Sequence, residues 1–207
     1  MNRLHADYWI RKGLPPAGRR RGQVFISYSS LNEARNGLVR RFSGLLKPVL
    51  ELAGEAPVYV YTHPVSGSRY GVSFVEEVVE RIAHAPAAFV FKSAEYFASE
   101  ICSELELPLL LWRNRVHGMP LYFIYAGASS VEALPVSFPA GNRSGTSKVL
   151  LGELGDDRKA HPEFRSVEYL RDQSLQMLLE DGKSAVADAR LLAVIADFAQ
   201  TLKLPMA

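Results

Sequence analysis

The chain predicts an α/β fold in which a parallel sheet is covered by helices on both faces. Four short runs rich in β-branched and aromatic residues alternate with longer stretches of helical periodicity. The runs are apolar at consecutive positions, as strands buried on both faces are, and no internal repeat or low-complexity block interrupts them.

Val24-Phe25-Ile26-Ser27-Tyr28, bounded by Gly22 and by Ser29-Ser30, reads as the first strand. Residues 32–53 follow with Leu38, Phe42, Leu45, Leu46, Val49 and Leu50 at helical spacing, Pro48 marking a kink and Gly54 a stop. The second run, Val58 to Tyr61, leads into a turn-rich loop from Thr62 to Gly71. A helix from Phe74 to Ala85 comes next, with Phe74, Val75, Val78, Val79 and Ile82 on its inner face. Ala87–Phe91 and Leu121–Tyr125 are the third and fourth strands. Each crossover between parallel strands is expected to be right-handed. Two helices, Val167–Leu179 and Ser184–Leu202, separated by Asp181-Gly182, close the chain. Residues 127–165, carrying Pro135, Pro139, Gly141 and Gly145, read as a long irregular segment, functional or mobile.

At 207 residues, 48% hydrophobic and 22% charged, the chain has the composition of a single globular domain with room for an arm. No apolar run approaches the ~18 residues of a membrane span, and the charged first residues are not expected to direct secretion. One cysteine and five scattered histidines offer neither a disulfide scaffold nor a zinc spacing, so a cytoplasmic, metal-free protein is expected. The formal charge of +2 is unevenly spread: residues 1–22 carry six basic side chains against Asp7, leaving eighteen basic and twenty-one acidic groups on residues 23–207. The chain thus divides into a basic arm, 1–22, and a mildly acidic body, 23–207. The arm reads as a solvated tail, with contact to nucleic acid as the alternative. Tyr8, Trp9 and Ile10 are able to pack against the body, and Leu14 to Gly18 reads as a stiff linker.

Ligands of open parallel sheets sit beyond the carboxyl ends of the strands, so the residues after each strand carry the functional information. Ser-Tyr-Ser-Ser after the first strand lacks the acids of a phosphate-accepting receiver domain. Gly67-Ser-Arg-Tyr-Gly71 matches neither a dinucleotide fingerprint nor a P-loop. Gly141-Asn-Arg-Ser-Gly145 has the wrong spacing for a nucleophile elbow.

Val24 to Ser30 does resemble the first strand and following turn of a TIR (Toll/interleukin-1 receptor) domain. Further segments follow in the family's order. They are the second strand at Val58–Tyr61, a loop with Ser66-Gly67 and Gly71 before Phe74, and a helix ending Arg81-Ile82-Ala83-His84-Ala85. After the third strand comes Ser93-Ala-Glu-Tyr96-Phe-Ala-Ser99-Glu-Ile-Cys102, similar to the family block of serine, tyrosine, second serine and aromatic-cysteine pair that precedes a glutamate. The similarity runs in good order from residue 23 to about 110 and weakly to about 200.

The resemblance implies a flavodoxin-like three-layer fold with a central parallel sheet of about five strands. It implies one of two functions. Many TIR domains hydrolyse or cyclise NAD+, releasing nicotinamide and ADP-ribose or a cyclic variant, in bacterial immune or signalling responses such as antiphage defence. Others are non-catalytic adaptors. Either kind works through TIR–TIR association, sometimes triggered by a partner protein. NAD+ is then substrate, with no further cofactor, and neither membrane nor metal is involved. A single carboxylate suffices, because nicotinamide leaves as a neutral base and a carboxylate can anchor the ribose and stabilise the developing cation.

The family's glutamate lies three residues after the cysteine, which here is Leu105, with Glu104 and Glu106 on either side. At ~100° per residue, Ile101, Leu105, Leu109 and Trp112 would form an inward stripe, and Glu104 would flank it directly before a buried leucine. Glu104 is therefore the first choice for catalysis and Glu106 the second. Both are alternatively solvated surface acids, and Pro108 is expected to break the helix within about a turn. Tyr28, Ser29 and Ser30 would line the cleft, Ser29 alternatively capping the next helix. Ser66, Gly67, Arg69, Tyr70 and Phe74 would bind substrate from the following loop, or form an exposed loop instead. Cys102 reads as packing rather than nucleophile, having no histidine nearby in sequence.

Overall fold

The structure, a computed structural model, describes residues 5–14, 23–52, 59–60, 74–127, 135–139, 146–150, 166–169 and 173–201. Three central strands, β1 (Phe25–Ser27), β3 (Ala88–Lys92) and β4 (Leu121–Tyr125), run parallel, in the register Ile26↔Phe89 and Phe89↔Tyr122. Short segments pair in parallel outside them, β2 (Tyr59–Val60) on β1 and β7 (Ser166–Tyr169) on β4, giving the order β2-β1-β3-β4-β7. Every residue of β1, β3 and β4 is buried. That is why these strands read as continuous apolar runs rather than alternating ones.

Successive strand residues point to opposite faces and so build two cores. Phe25, Ala88, Val90, Leu121 and Phe123 join one, with side chains of α1 (Ala6–Lys12), α4 (Phe74–His84) and α6 (Leu107–His117). Ile26, Phe89, Phe91, Tyr122 and Ile124 join the other, with α3 (Leu38–Leu52), α7 (Leu175–Glu180) and α8 (Ser184–Thr201). On this second face Phe89 stacks on Tyr122 at 4.9 Å and meets Phe42 and Phe198 edge-on at 4.8 and 5.3 Å. Such offset and T-shaped arrangements add to the area that the rings bury.

Polar ties fix the helices. Arg113 of α6 is buried and donates through its two Nη atoms to the carbonyls of Ala83 and Ala85, satisfying acceptors where α4 ends. Arg41 of α3 makes a bidentate pair with Asp188 of α8 and holds that carboxyl below its ordinary range. Both partners are about one-third exposed, so Asp188→Asn is expected to cost at most about 1 kcal/mol, a fall of about 2–4 °C in a thermal melt at pH 7.

Several boundaries differ from the sequence reading. The helix expected over 32–53 is two, α2 (Ser30–Asn36) and α3, separated by Gly37 at φ 57° in the left-handed region. Pro48 lies within α3. The expected helix 167–179 is instead strand β7 followed by the shorter α7, started by Ser174, whose Oγ accepts from the Met177 amide. Within 127–165, Pro135–Pro139 and Thr146–Leu150 form an antiparallel pair, β5 and β6. The basic arm is part of the body over α1, where Ala6 and Trp9 are buried in the first core. Lys12 Nζ lies 5.1 Å from the Trp9 ring, so part of the arm's charge rests on its own aromatic residues. No described helix is long and apolar enough to cross a membrane.

Candidate functional site

The strand order reverses direction between β1 and β3. The chain leaves β1 for β2 on one side and returns past it to β3 and β4 on the other. Crevices at such a switch point lie beyond the carboxyl ends of the strands. The residues there are Ser27, which ends β1, and Tyr28 after it, and Lys92, which ends β3, and Ser93 after it.

Ser27 is the one polar residue of β1 and is 1% exposed. Alternation sends it to the same face as Phe25, towards α5 (Ala94–Ala98) and the turn that precedes α6. Its Oγ donates to Glu106 Oε2 at 2.5 Å and shares a second hydrogen bond, of 2.8 Å, with the Tyr96 hydroxyl. Tyr96 is held by the start of α5, where its amide donates to Ser93 Oγ at 3.1 Å, and its hydroxyl also reaches the Cys102 carbonyl at 3.4 Å. Cys102 Sγ donates to the carbonyl of Tyr28 at 3.5 Å. Residues of β1, α5 and the turn after it thus join one hydrogen-bonded cluster, in which Ser27 contacts the Glu106 carboxyl directly.

Glu106 reaches this position because residues 101–106 form a π-helical turn, in which the Leu107 amide donates to the Cys102 carbonyl five residues back. A π turn takes in one more residue than the α pattern allows, and such turns favour functional sites. Pro108 gives a local reason for it. Proline lacks the amide that would bond the carbonyl four residues earlier, and its ring crowds that carbonyl, so the widened turn relieves the clash. The helix continues through Pro108 to His117 and does not break there.

The same turn reverses the preference between the two acids. Glu106 is 4% exposed, whereas the Glu104 side chain is 54% exposed and sits 3.6 Å from His5 Nδ1. A stripe that sets Glu104 apart requires uniform α geometry and a helix with an outer face. Instead the extra residue moves every later side chain round, and Leu105 through Asn114 are all buried, so no stripe distinguishes the flanks.

Burial pushes the Glu106 carboxyl up to about 7, against a lowering by the Ser27 hydroxyl. Among the described residues no carboxylate or cation contributes to that shift. Tyr96 is also raised, first by burial. Burial, then Glu106, push the Cys102 thiol well above its ordinary range, which makes it a poor nucleophile and agrees with a packing role. A buried carboxyl that titrates near neutrality can hold a proton, or when ionised can stabilise a cation in surroundings of low dielectric. Among the described residues no group of three His, Cys, Asp or Glu side chains is arranged to hold a metal.

The remaining sequence candidates fall in different places. Ser29 Oγ accepts from the Leu31 amide at 3.3 Å, so it caps α2, and Ser30 is an exposed first residue of that helix. Tyr28 is half-buried beside the cluster through its carbonyl. Phe74 opens α4 and packs against the first core. Ser66, Gly67, Arg69 and Tyr70 lie outside the described residues. Ser27 and Tyr96 did not stand out in sequence as site residues. A signal for Ser27 was present, because a lone hydroxyl within an otherwise apolar buried strand must find a partner.

Lys92, at the end of β3, is fully buried. Its Nζ donates to the Tyr125 hydroxyl at 3.1 Å and lies 5.0 Å from the Phe123 ring. Comparisons with protein-family models, with curated proteins and with solved structures find no match to this chain.

Proposed function

We propose that this protein is a TIR-like NAD+ glycohydrolase or cyclase in which Glu106 is the catalytic carboxylate. The observation that carries the reading is the inward Glu106, tied to Ser27 at the carboxyl end of β1 where the strand order reverses. The resembled pattern places its glutamate three residues after the cysteine, and here the spacing is four. A π turn over Ile101–Glu106 absorbs one residue, so a displaced glutamate returns to the inner side. The order β2-β1-β3-β4-β7 supports a flavodoxin-like reading of the fold, whose order is 2-1-3-4-5.

In this mechanism the bond between the ribose and nicotinamide breaks with its electron pair leaving on the nicotinamide nitrogen. The ionised Glu106 faces the oxocarbenium that forms, its charge strengthened by exclusion of water. Water, or an adenine nitrogen in the cyclising variant, then adds to the ribose carbon, and water gives up a proton as it does so. Association of several copies, in the cytoplasm and as part of a bacterial immune response, belongs to the same reading.

The test incubates concentrated protein with NAD+, with and without a crowding agent, and follows nicotinamide release. Release is expected to rise with pH through about 7 as Glu106 ionises. It should fall by at least about 10²-fold in Glu106→Ala and persist in Glu104→Ala. Release that survives Glu106→Ala but disappears in Glu104→Ala returns the role to Glu104. Absence of release under every condition leaves the adaptor reading.

A further inference from the structure

We infer that Ser27 and Tyr96 are positioning residues for Glu106, acting as one hydrogen-bond chain that runs Tyr96–Ser27–Glu106 and reverses its direction when the carboxyl gains a proton. The inference rests on the reading of Glu106 as the catalytic group. The geometry supports both directions. With Glu106 ionised, Ser27 donates to Oε2 and must accept from Tyr96, whose single proton then points along the 2.8 Å contact. With Glu106 protonated, the carboxyl donates to Ser27, Ser27 to Tyr96, and Tyr96 to the Cys102 carbonyl at 3.4 Å. Every donor along the chain has an acceptor in either state, so one carboxyl orientation serves both.

The surroundings leave the chain in charge of Glu106. Among the described residues, Tyr96 from α5 and Cys102 from the π turn are titratable groups electrostatically coupled to it, and from β3 the buried Lys92, on the same sheet face as Ser27, gives its Nζ to the Tyr125 hydroxyl. From the residue that precedes α1, His5 reaches Glu104 instead. From α4, Arg81 turns to Glu77 and Gln23. Phe25, Val78, Val79, Leu105 and Leu110, in the same core, supply apolar walls. The hydrogen bonds join Tyr96 to Glu106 through the Ser27 hydroxyl, beside their direct electrostatic coupling, and such a chain is strongly non-additive.

The experiment titrates the carboxyl of Glu106 by carbon NMR on protein labelled at glutamate, assigned with Glu106→Gln, beside the pH profile of nicotinamide release. Ser27→Ala removes the donor to the carboxylate and is expected to raise the midpoint by about one pH unit. Tyr96→Phe, which keeps the ring and its packing, is expected to raise it by less. The double variant should match Ser27→Ala alone, and Ser27→Thr should restore the original midpoint. The release profile should move with the carbon midpoint.

Additive shifts in the double variant, or an unmoved midpoint in Ser27→Ala, overturn the chain. If the carbon titration behaves as expected while the wild-type protein releases no nicotinamide, the chain stands and the catalytic reading fails.

Discussion

Replacing Glu106 by glutamine is expected to stabilise the protein at pH 8 by up to about 3 kcal/mol while removing nicotinamide release. The carboxyl titrates at about 7 in the folded chain, against an ordinary 4.5. Below pH 4.5 both states carry the proton and the group is neutral towards folding. Between 4.5 and 7 the unfolded chain gives up its proton while the folded one retains it. Raising the pH through that window therefore costs the folded state stability, and above 7 the loss is complete, at about 3 kcal/mol. Glutamine has no charge to desolvate at any pH. The two proteins should melt at similar temperatures near pH 4, and the variant about 6–12 °C higher at pH 8. Melting curves across this range check it. A variant less stable than the wild type at pH 8 would mean that the folded carboxyl is ionised well below neutrality.

What could be read in the sequence follows from how local each signal is. Leu121–Tyr125 is a strand at the residues its apolar run marks, and α4 begins and ends within one residue of its periodicity. Burial on both faces or on one face writes itself into consecutive side chains. The β5 and β6 pair was hidden because Pro135 and Pro139 bracket the first strand, and proline ordinarily argues against a strand interior. Strand β7 reads as helix in the sequence because Val167 and Leu170 stand three apart, a helical spacing, and the Val167–Tyr169 alternation is too short over four residues to outweigh it. At the site, the segment containing Glu106 was legible and the inward acid was not. Periodicity assigns faces only while the turn stays at 3.6 residues, and a π turn is set by packing around Pro108 rather than by the pattern of apolar side chains. Ser27 and Tyr96 are 69 residues apart, and their contact exists only once β1 and α5 are side by side.

Deleting Ser103 is expected to leave the protein folded and Glu106 in place, whereas deleting Ser43 is expected to unfold it. Both are half-buried helical serines whose Oγ atoms donate to the carbonyl four residues earlier, Ser99 at 2.9 Å and Val39 at 2.7 Å. They differ in what the helix does with one residue fewer. In α3 the loss turns everything beyond the gap by ~100° relative to everything before it, so Leu46 and Leu50 leave the core if Val39 and Phe42 stay. Withdrawing a buried leucine costs about 2–5 kcal/mol, and two of them consume most of the ~5–15 kcal/mol of a typical domain.

In the π turn the extra residue is the one the wide geometry accommodates. Its loss lets the Leu107 amide bond the carbonyl four residues back and returns the spacing from Cys102 to Glu106 to three. Regular α geometry brings the Pro108 ring back against the carbonyl four residues earlier, at a cost of up to about 3 kcal/mol, so the melting temperature of the Ser103 deletion should fall by no more than about 6–12 °C. Its nicotinamide release should remain within about tenfold and stay dependent on Glu106. A Ser103 deletion as poorly folded as the Ser43 deletion would show that the widened turn is fixed by the body around it and not by that inserted residue. The link drawn between the turn and the displaced glutamate would then be broken.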